Sequence, residues 1–178
     1  AGSVTFGGGS IFLDNAFSLA STGVVAISGA SVQSSLPLVF NNPLTVSGGL
    51  LLTSSTLDIN SGFNWSGATV VQGSLMTTRG VSNITATGGT NNWNNVGTAA
   101  ISGAGALQLG ANATFTNQAG GVLNLTGTAA VPLDTNGGAR TIVNAGIINK
   151  SSTASQNVGI NLFSNSGTVT VQIGRAHV

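Results

Sequence analysis

An all-β fold, a β-solenoid whose coils run to roughly 20–27 residues, is predicted by three features of the chain. The first is a repeat. An apolar residue, any residue, Asn, one or two residues, Gly and a short β-prone run occur in that order four times. The versions are Trp93-Asn94-Asn95-Val96-Gly97, Phe115-Thr116-Asn117-Gln118-Ala119-Gly120, Ile142-Val143-Asn144-Ala145-Gly146 and Phe163-Ser164-Asn165-Ser166-Gly167. From Asn95 to Asn117, Asn144 and Asn165 the intervals are 22, 27 and 21 residues, a degenerate period typical of stacked units. The second is alternation of apolar with small polar residues, as in Val122-Leu123-Asn124-Leu125 and Thr168-Val169-Thr170-Val171, which places one set inside and one outside. The third is charge. Only 4% of residues are charged, against roughly a quarter in ordinary globular domains.

These features support one another physically. No single unit of this size buries its apolar side alone, so neighbours must stack. Three short strands and three turns make one coil. Asn tolerates left-handed backbone angles and Gly reaches them freely, which suits the Asn-x-Gly segment to a turn. Stacked in register, the Asn amides are expected to bond one another in a ladder, as in cross-β structures. Equivalent positions in successive coils lie about 4.8 Å apart, where like charges cost roughly 1 kcal/mol even in water. Ser, Thr and Asn avoid that penalty.

Composition removes several function classes. The chain has 178 residues, 41% hydrophobic, which argues against disorder. A formal net charge of +1 with no basic cluster predicts no nucleic-acid or anionic-membrane partner. Apolar runs such as Leu38-Val39-Phe40 and Leu50-Leu51-Leu52 fall far short of the ~18 residues of a transmembrane helix. Seven Phe, two Trp and no Tyr do not supply the aromatic girdles of a membrane barrel. The absence of Cys fits an exported bacterial surface protein.

Taken in order, the chain starts at Ala1 without an initiator Met or a charged-then-apolar leader, which reads as an interior fragment or mature segment. Strands are expected at Val4-Thr5-Phe6, Ser10 to Leu13, Val24 to Ile27, Leu38 to Phe40, Leu44 to Val46, Leu50 to Thr53 and Thr56 to Ile59, punctuated by Gly, Asn, Ser and Pro. Pro37 and Pro43 sit at strand edges, where a missing donor does least harm. Ala16 to Ala20 comes nearest to a helix and is too short. Residues 1–61 thus read as divergent coils of one solenoid segment, 1–172, whose clearest repeats span 62–172. Phe63 and Trp65 are expected in the core.

The Phe63-Asn64-Trp65-Ser66-Gly67 segment and the repeats at Trp93, Phe115 and Phe163 resemble those of large bacterial surface proteins: β-helical autotransporter passengers and filamentous-haemagglutinin-like adhesins. The resemblance covers Phe63 to Gln172 well and the first sixty residues loosely. It implies a right-handed parallel β-helix, export, and a place at the cell surface or in the extracellular matrix. Neighbouring coils of the full-length chain and host or matrix glycans or proteins would then be its partners. No site residue carries over. Ile173 to Val178 resembles a sequencing adapter translated in frame, so this tail, with His177, is expected to be non-native and the chain a metagenomic fragment.

Candidate chemistry is sparse. Glycoside hydrolysis needs two carboxylates flanking the scissile bond. Only Asp14, Asp58 and Asp134 are available, far apart in sequence. Asp14 and Asp58 are expected two coils apart on one face, without a basic neighbour. Nucleophilic triads and zinc sites lack His and Cys. Leu133-Asp134-Thr135-Asn136-Gly137-Gly138 echoes a calcium nonapeptide only once. Gly7-Gly8-Gly9 lacks the Lys of a phosphate loop. Asn64, Asn83, Asn112, Asn124 and Asn149 begin Asn-x-Ser/Thr triplets, read as chance products of an Asn- and Thr-rich chain. No catalytic, cofactor or metal residue is assigned. The expected function is a structural and adhesive repeat segment without catalysis, a rigid stalk or display scaffold. The alternative is a non-catalytic portion of a carbohydrate-active β-helix enzyme, and ice binding through Thr168 and Thr170 is remote. The isolated chain is expected to aggregate or stack end to end through unpaired strand edges.

Overall fold

Alternating residues with a buried phase form short strands throughout, and every strand pair is parallel, so each strand must be followed by a full circuit of chain before its neighbour. The computed structural model describes residues 2–14, 22–67, 70–135, 139–159 and 161–172. Among them it contains 21 strands and no helix. The chain winds about eight turns into a β-solenoid with three strand-bearing faces. The segment Ala16 to Ala20 and the tail 173–178 lie outside the described residues.

Face 1 is a seven-stranded sheet: Leu38–Phe40, Thr56–Ile59, Leu75–Thr78, Trp93–Asn95, Thr114–Asn117, Thr141–Asn144 and Leu162–Asn165. Face 2 follows it in each coil and includes Val4–Phe6, Phe63–Trp65, Val81–Ile84, Thr98–Ile101, Val122–Leu125, Ile147–Lys150 and Thr168–Val171. Face 3 comes next, with Ser10–Phe12, Val70–Gln72, Gly88–Thr90, Leu107–Leu109 and Leu133–Thr135. Faces 2 and 3 form one 14-stranded sheet because two ten-residue strands, Val25–Ser34 and Leu44–Thr53, run across both. The sequence breaks the second of these at Ser47-Gly48-Gly49. In fact the chain bends there without leaving the sheet, and Gly49 takes a φ of 79°. A Cβ on Gly49 would stand 2.1 Å from the Ala30 carbonyl oxygen.

Registered partners fix the coil lengths. On face 2 the steps from Leu44 to Phe63 and from Phe63 to Ser82 each span 19 residues, and the step from Ser82 to Ala99 spans 17. From Ala99 to Leu123 it is 24, and from Leu123 to Ile148 it is 25. Several coils are therefore shorter than the expected 20–27. The difference is spread over the turns: the one between faces 2 and 3 runs over 85–87, then 102–106, then 126–132, the one between faces 3 and 1 over 91–92 and then 110–113, and the one between faces 1 and 2 over 96–97 and then 118–121.

The core consists of columns, one residue per coil. On face 1 the inward column is Leu38, Leu57, Met76, Trp93, Phe115, Ile142 and Phe163. All but the last are buried. Trp93 and Phe115 pack with ring centroids 4.8 Å apart, tilted by 58°. On face 2, Phe63 is followed by Ser82 and Ala99, small residues that offset the volume of the two indoles. Gly88 makes the same allowance, since a Cβ there would lie 2.2 Å from the Trp65 ring.

Candidate functional site

The most organised polar feature is buried where face 1 turns into face 2. Asn95, Asn117, Asn144 and Asn165 are registered partners in consecutive coils. Asn95 Nδ2 donates to Asn117 Oδ1 at 2.8 Å, Asn117 Nδ2 to Asn144 Oδ1 at 2.8 Å, and Asn144 Nδ2 to Asn165 Oδ1 at 2.7 Å. The same three amide nitrogens donate to the carbonyls of Val122, Ile147 and Thr168 in the next coil. Thr78 stands one coil below: its hydroxyl donates to Asn95 Oδ1 at 3.3 Å and accepts from Trp93 Nε1 at 3.0 Å. The expected ladder is present, with a start at Thr78. In the coils below, the same position holds Ile59 and Phe40, so the inner corner changes there from apolar to amide.

Gly120, with φ 84°, takes the expected left-handed angle, whereas the other three repeat glycines serve a different purpose. The ladder asparagines and Gly97, Gly146 and Gly167 are not left-handed. A Cβ on Gly146 would instead lie 2.2 Å from the Gly121 carbonyl oxygen, and one on Gly167 2.1 Å from that of Gly146. At Gly97, Gly146 and Gly167 close approach of the coil beneath, not backbone angle, excludes side chains.

A second polar column lies outward on face 2. Thr5, Ala26, Thr45, Asn64, Asn83, Ala100, Asn124, Asn149 and Thr170 are successive registered partners. Asn83 Nδ2 donates to Asn64 Oδ1 at 3.1 Å and Asn149 Nδ2 to Asn124 Oδ1 at 3.0 Å. Two residues further along stand Ser66, Thr85, Ser102, Thr126 and Ser151, whose backbone amides bond carbonyls of the preceding coil. Four of the five Asn-x-Ser/Thr triplets thus occupy the same place in their coils. The fifth, at Asn112, sits in a turn with φ 58°. Thr168 and Thr170 both face outward, but their partners one coil back are Ile147 and Asn149, so no Thr array forms.

Ionisable groups are dispersed, and no group of three or more metal-ligating side chains occurs among the described residues. Asp58 projects from face 1, where Arg79 Nη2 reaches it at 3.1 Å, so the expectation that it lacks a basic neighbour is corrected. That pair is exposed enough to contribute at most about 1 kcal/mol. Asp14 lines a polar hollow of ≈ 250 Å³ with Phe12, Gln33, Ser34, Ser35 and Ser54, and Asp58 is not part of it. Asp134 belongs to a face 3 strand beside Gln108. Gly9, with φ 78°, links two strands and precedes no helix. Phe63 and Trp65 are wholly buried, which places them in the core as expected.

Arg140 gives no signal in the sequence. It is 1% exposed, with Nε on the Leu109 carbonyl at 2.7 Å and Nη1 on that of Ala139 at 3.2 Å. A long side chain here ties the edge of one coil to the coil below through backbone acceptors. No described helix is long and apolar enough to cross a membrane. No protein-family model matches the chain, and comparison with curated proteins and with solved structures gives no match.

Proposed function

We propose that this chain is a structural and adhesive segment of an exported bacterial surface protein: a rigid rod that spaces or displays binding elements and performs no catalysis. The observation that carries this reading is the single register in which successive coils stack, marked by a buried amide ladder from Thr78 to Asn165 and an outward column of Thr, Asn and Ala side chains. A scaffold requires that continuity along its axis, whereas a catalytic cleft requires converging side chains at one level. Host or matrix glycans and proteins are the proposed adhesive partners, and the cell surface the proposed location.

Beads coated with the chain test the proposal on panels of neutral and acidic glycans and matrix proteins, with released sugars measured in parallel. Retention of beads without release of soluble sugar is the expected result. Cleavage of any glycan overturns the non-catalytic reading, and no retention on any surface removes the adhesive role.

A second reading, the non-catalytic portion of a carbohydrate-active β-helix, has the hollow around Phe12 and Asp14 in its favour. It pairs a ring that is 65% exposed with one carboxylate, an amide and three hydroxyls. One carboxylate can hold a sugar, but canonical glycoside hydrolysis uses two. Retention that is lost in Phe12→Ala favours this reading over the scaffold.

A further inference from the structure

We infer that the flank of the first coils carries a subsite for one neutral pyranose. Its ring stacks on Phe12, and Asp14, Gln33 and Ser35 bind its hydroxyls. The inference rests on the glycan binding that both readings of the chain share, and it gives that binding a place.

The hollow lies on the side of the stack. Along Ser10–Phe12 and the two residues after it, Ile11 and Leu13 pack against the core while Phe12 and Asp14 face out. Facing outward is what exposes Phe12 to 65%, just as Val81 is 57% exposed with coils paired on both sides of its strand. Gln33 is the registered partner of Phe12 in the second coil. Ser35 follows in that coil and Ser54 in the third, so the hollow runs lengthwise over three coils. A coil stacked ahead of Ser10–Phe12 would lie on the far side of Phe12 from Gln33 and leave the hollow open.

Its polar groups are unspent. Elsewhere on the outside of the stack, amides and charges satisfy one another between coils. Asn60 Nδ2 donates to Asn41 Oδ1 at 2.8 Å, Gln72 Nε2 to Asn91 Oδ1 at 3.3 Å, and Arg79 Nη2 to Asp58 Oδ1 at 3.1 Å. In the hollow, the Asp14 carboxylate and the Ser35 hydroxyl have no such partner among the described residues. Gln33 Nε2 donates to Ser31 Oγ at 3.0 Å, which fixes the amide and leaves Oε1 open. Ser34 holds the backbone beneath them, its hydroxyl donating to the Leu13 carbonyl at 2.8 Å and accepting from the Leu36 amide at 3.0 Å.

That set selects a sugar. A pyranose presents C–H bonds on its faces and O–H donors around its rim, matching an apolar ring beside open acceptors. Its bond to the carboxylate is of the strong, charge-assisted kind. No Lys or Arg lines the hollow, so an acidic sugar would set a second carboxylate near Asp14 with nothing to offset it. An ammonium ligand would use Phe12 and Asp14 but give the Ser35 hydroxyl no role. At ≈ 250 Å³ the hollow falls below the roughly 300–1,000 Å³ of sites for drug-sized ligands, which leaves room for one ring.

Saturation-transfer NMR on the full 178-residue chain tests the site. The probes are the methyl glycosides of glucose, galactose and mannose, with methyl glucuronide, methyl sialoside and choline for comparison. Transfer to the ring C–H protons of at least one neutral glycoside is expected, with none to the acidic sugars or choline. Phe12→Ala and Asp14→Asn should each weaken binding of that glycoside about tenfold. Phe12→Trp should retain it, and Val81→Ala, outward but outside the hollow, should leave it unchanged. All three side chains face outward, so the variants should keep the far-ultraviolet dichroism of the parent chain. The inference is overturned if no neutral glycoside gives a signal, if the acidic sugars or choline bind in its place, or if binding survives both Phe12→Ala and Asp14→Asn. Bead retention separates the site from the reading beneath it. Retention on glycan surfaces that persists in both variants removes the site and leaves the adhesion. Absent retention beside a glycoside signal that is lost in Phe12→Ala removes the adhesion and leaves the site.

Discussion

Asn117 is the residue on which the buried amide ladder turns. It accepts from Asn95 below and donates to Asn144 above and to the Ile147 carbonyl. Truncation strands groups on both sides in a dry corner, at about 1–3 kcal/mol for each group left unpaired. Asn117→Ala is therefore expected to destabilise the chain by about 3–5 kcal/mol in urea titration. Asn165→Ala should cost under about 1.5 kcal/mol, because that amide is exposed and only its neighbour below depends on it. Equal losses at the two positions would show that the ladder does not act as a chain of dependent bonds. Gly88 tests packing in the same way. Gly88→Ala drives a methyl into the Trp65 indole and should cost about 2–3 kcal/mol. Most of that loss should return in a Trp65→Leu background, read as a coupling energy in a double-mutant cycle.

At the scale of the element, each strand contributes one residue to each column, so a substitution is felt mainly by the coil above and the coil below. Asn124 and Asn149 are such neighbours, joined by an amide bond on the outward column. Asn124→Lys and Asn149→Lys should each be mild alone. Together they are expected to cost about 1 kcal/mol beyond their sum at low salt, from two ammonium groups one strand spacing apart. The excess should vanish near 1 M salt, where screening acts within about 3 Å. Strict additivity at low salt would contradict the register. That register also explains what was legible in the sequence. Face 1 could be read from Trp93 onward because each coil there ends its strand in Asn before a tightly packed Gly. The coils before it could not, since Phe40, Ile59 and Thr78 hold the corner and none resembles a turn residue. The outward column escaped notice for another reason. Its members lie 17 to 25 residues apart, a spacing set by turns of unequal length, so only pairing reveals them as partners. The ion pair of Asp58 with Arg79 was hidden in the same way, 21 positions apart in the sequence.

Over the whole molecule, contacts pass between adjacent coils and hardly further, as expected of a one-dimensional stack. Stability should then be graded along the axis. In hydrogen exchange, amides of Trp93–Asn95 and Thr114–Asn117 are expected to be the slowest, flanked on both sides by buried aromatic and amide columns. Those of Val4–Phe6 and Thr168–Val171 should be the fastest, with protection rising over two or three coils from either end. One common opening free energy for all strands would contradict this. The absence of clustered ionisable side chains among the described residues belongs to the same scale, because charge repeated at every level would accumulate along the axis.

The unequal turns between faces have a further consequence. Sequence length and physical length are decoupled in this fold. A coil of 17 residues and one of 25 each advance the axis by one strand spacing, about 4.8 Å. The surplus residues bulge sideways and leave the pitch unchanged. The molecule therefore behaves as a ruler with equal divisions, on which insertions and deletions in a turn alter the girth of one division and duplications of a coil add a new one. Evolution can vary its decoration and its reach independently.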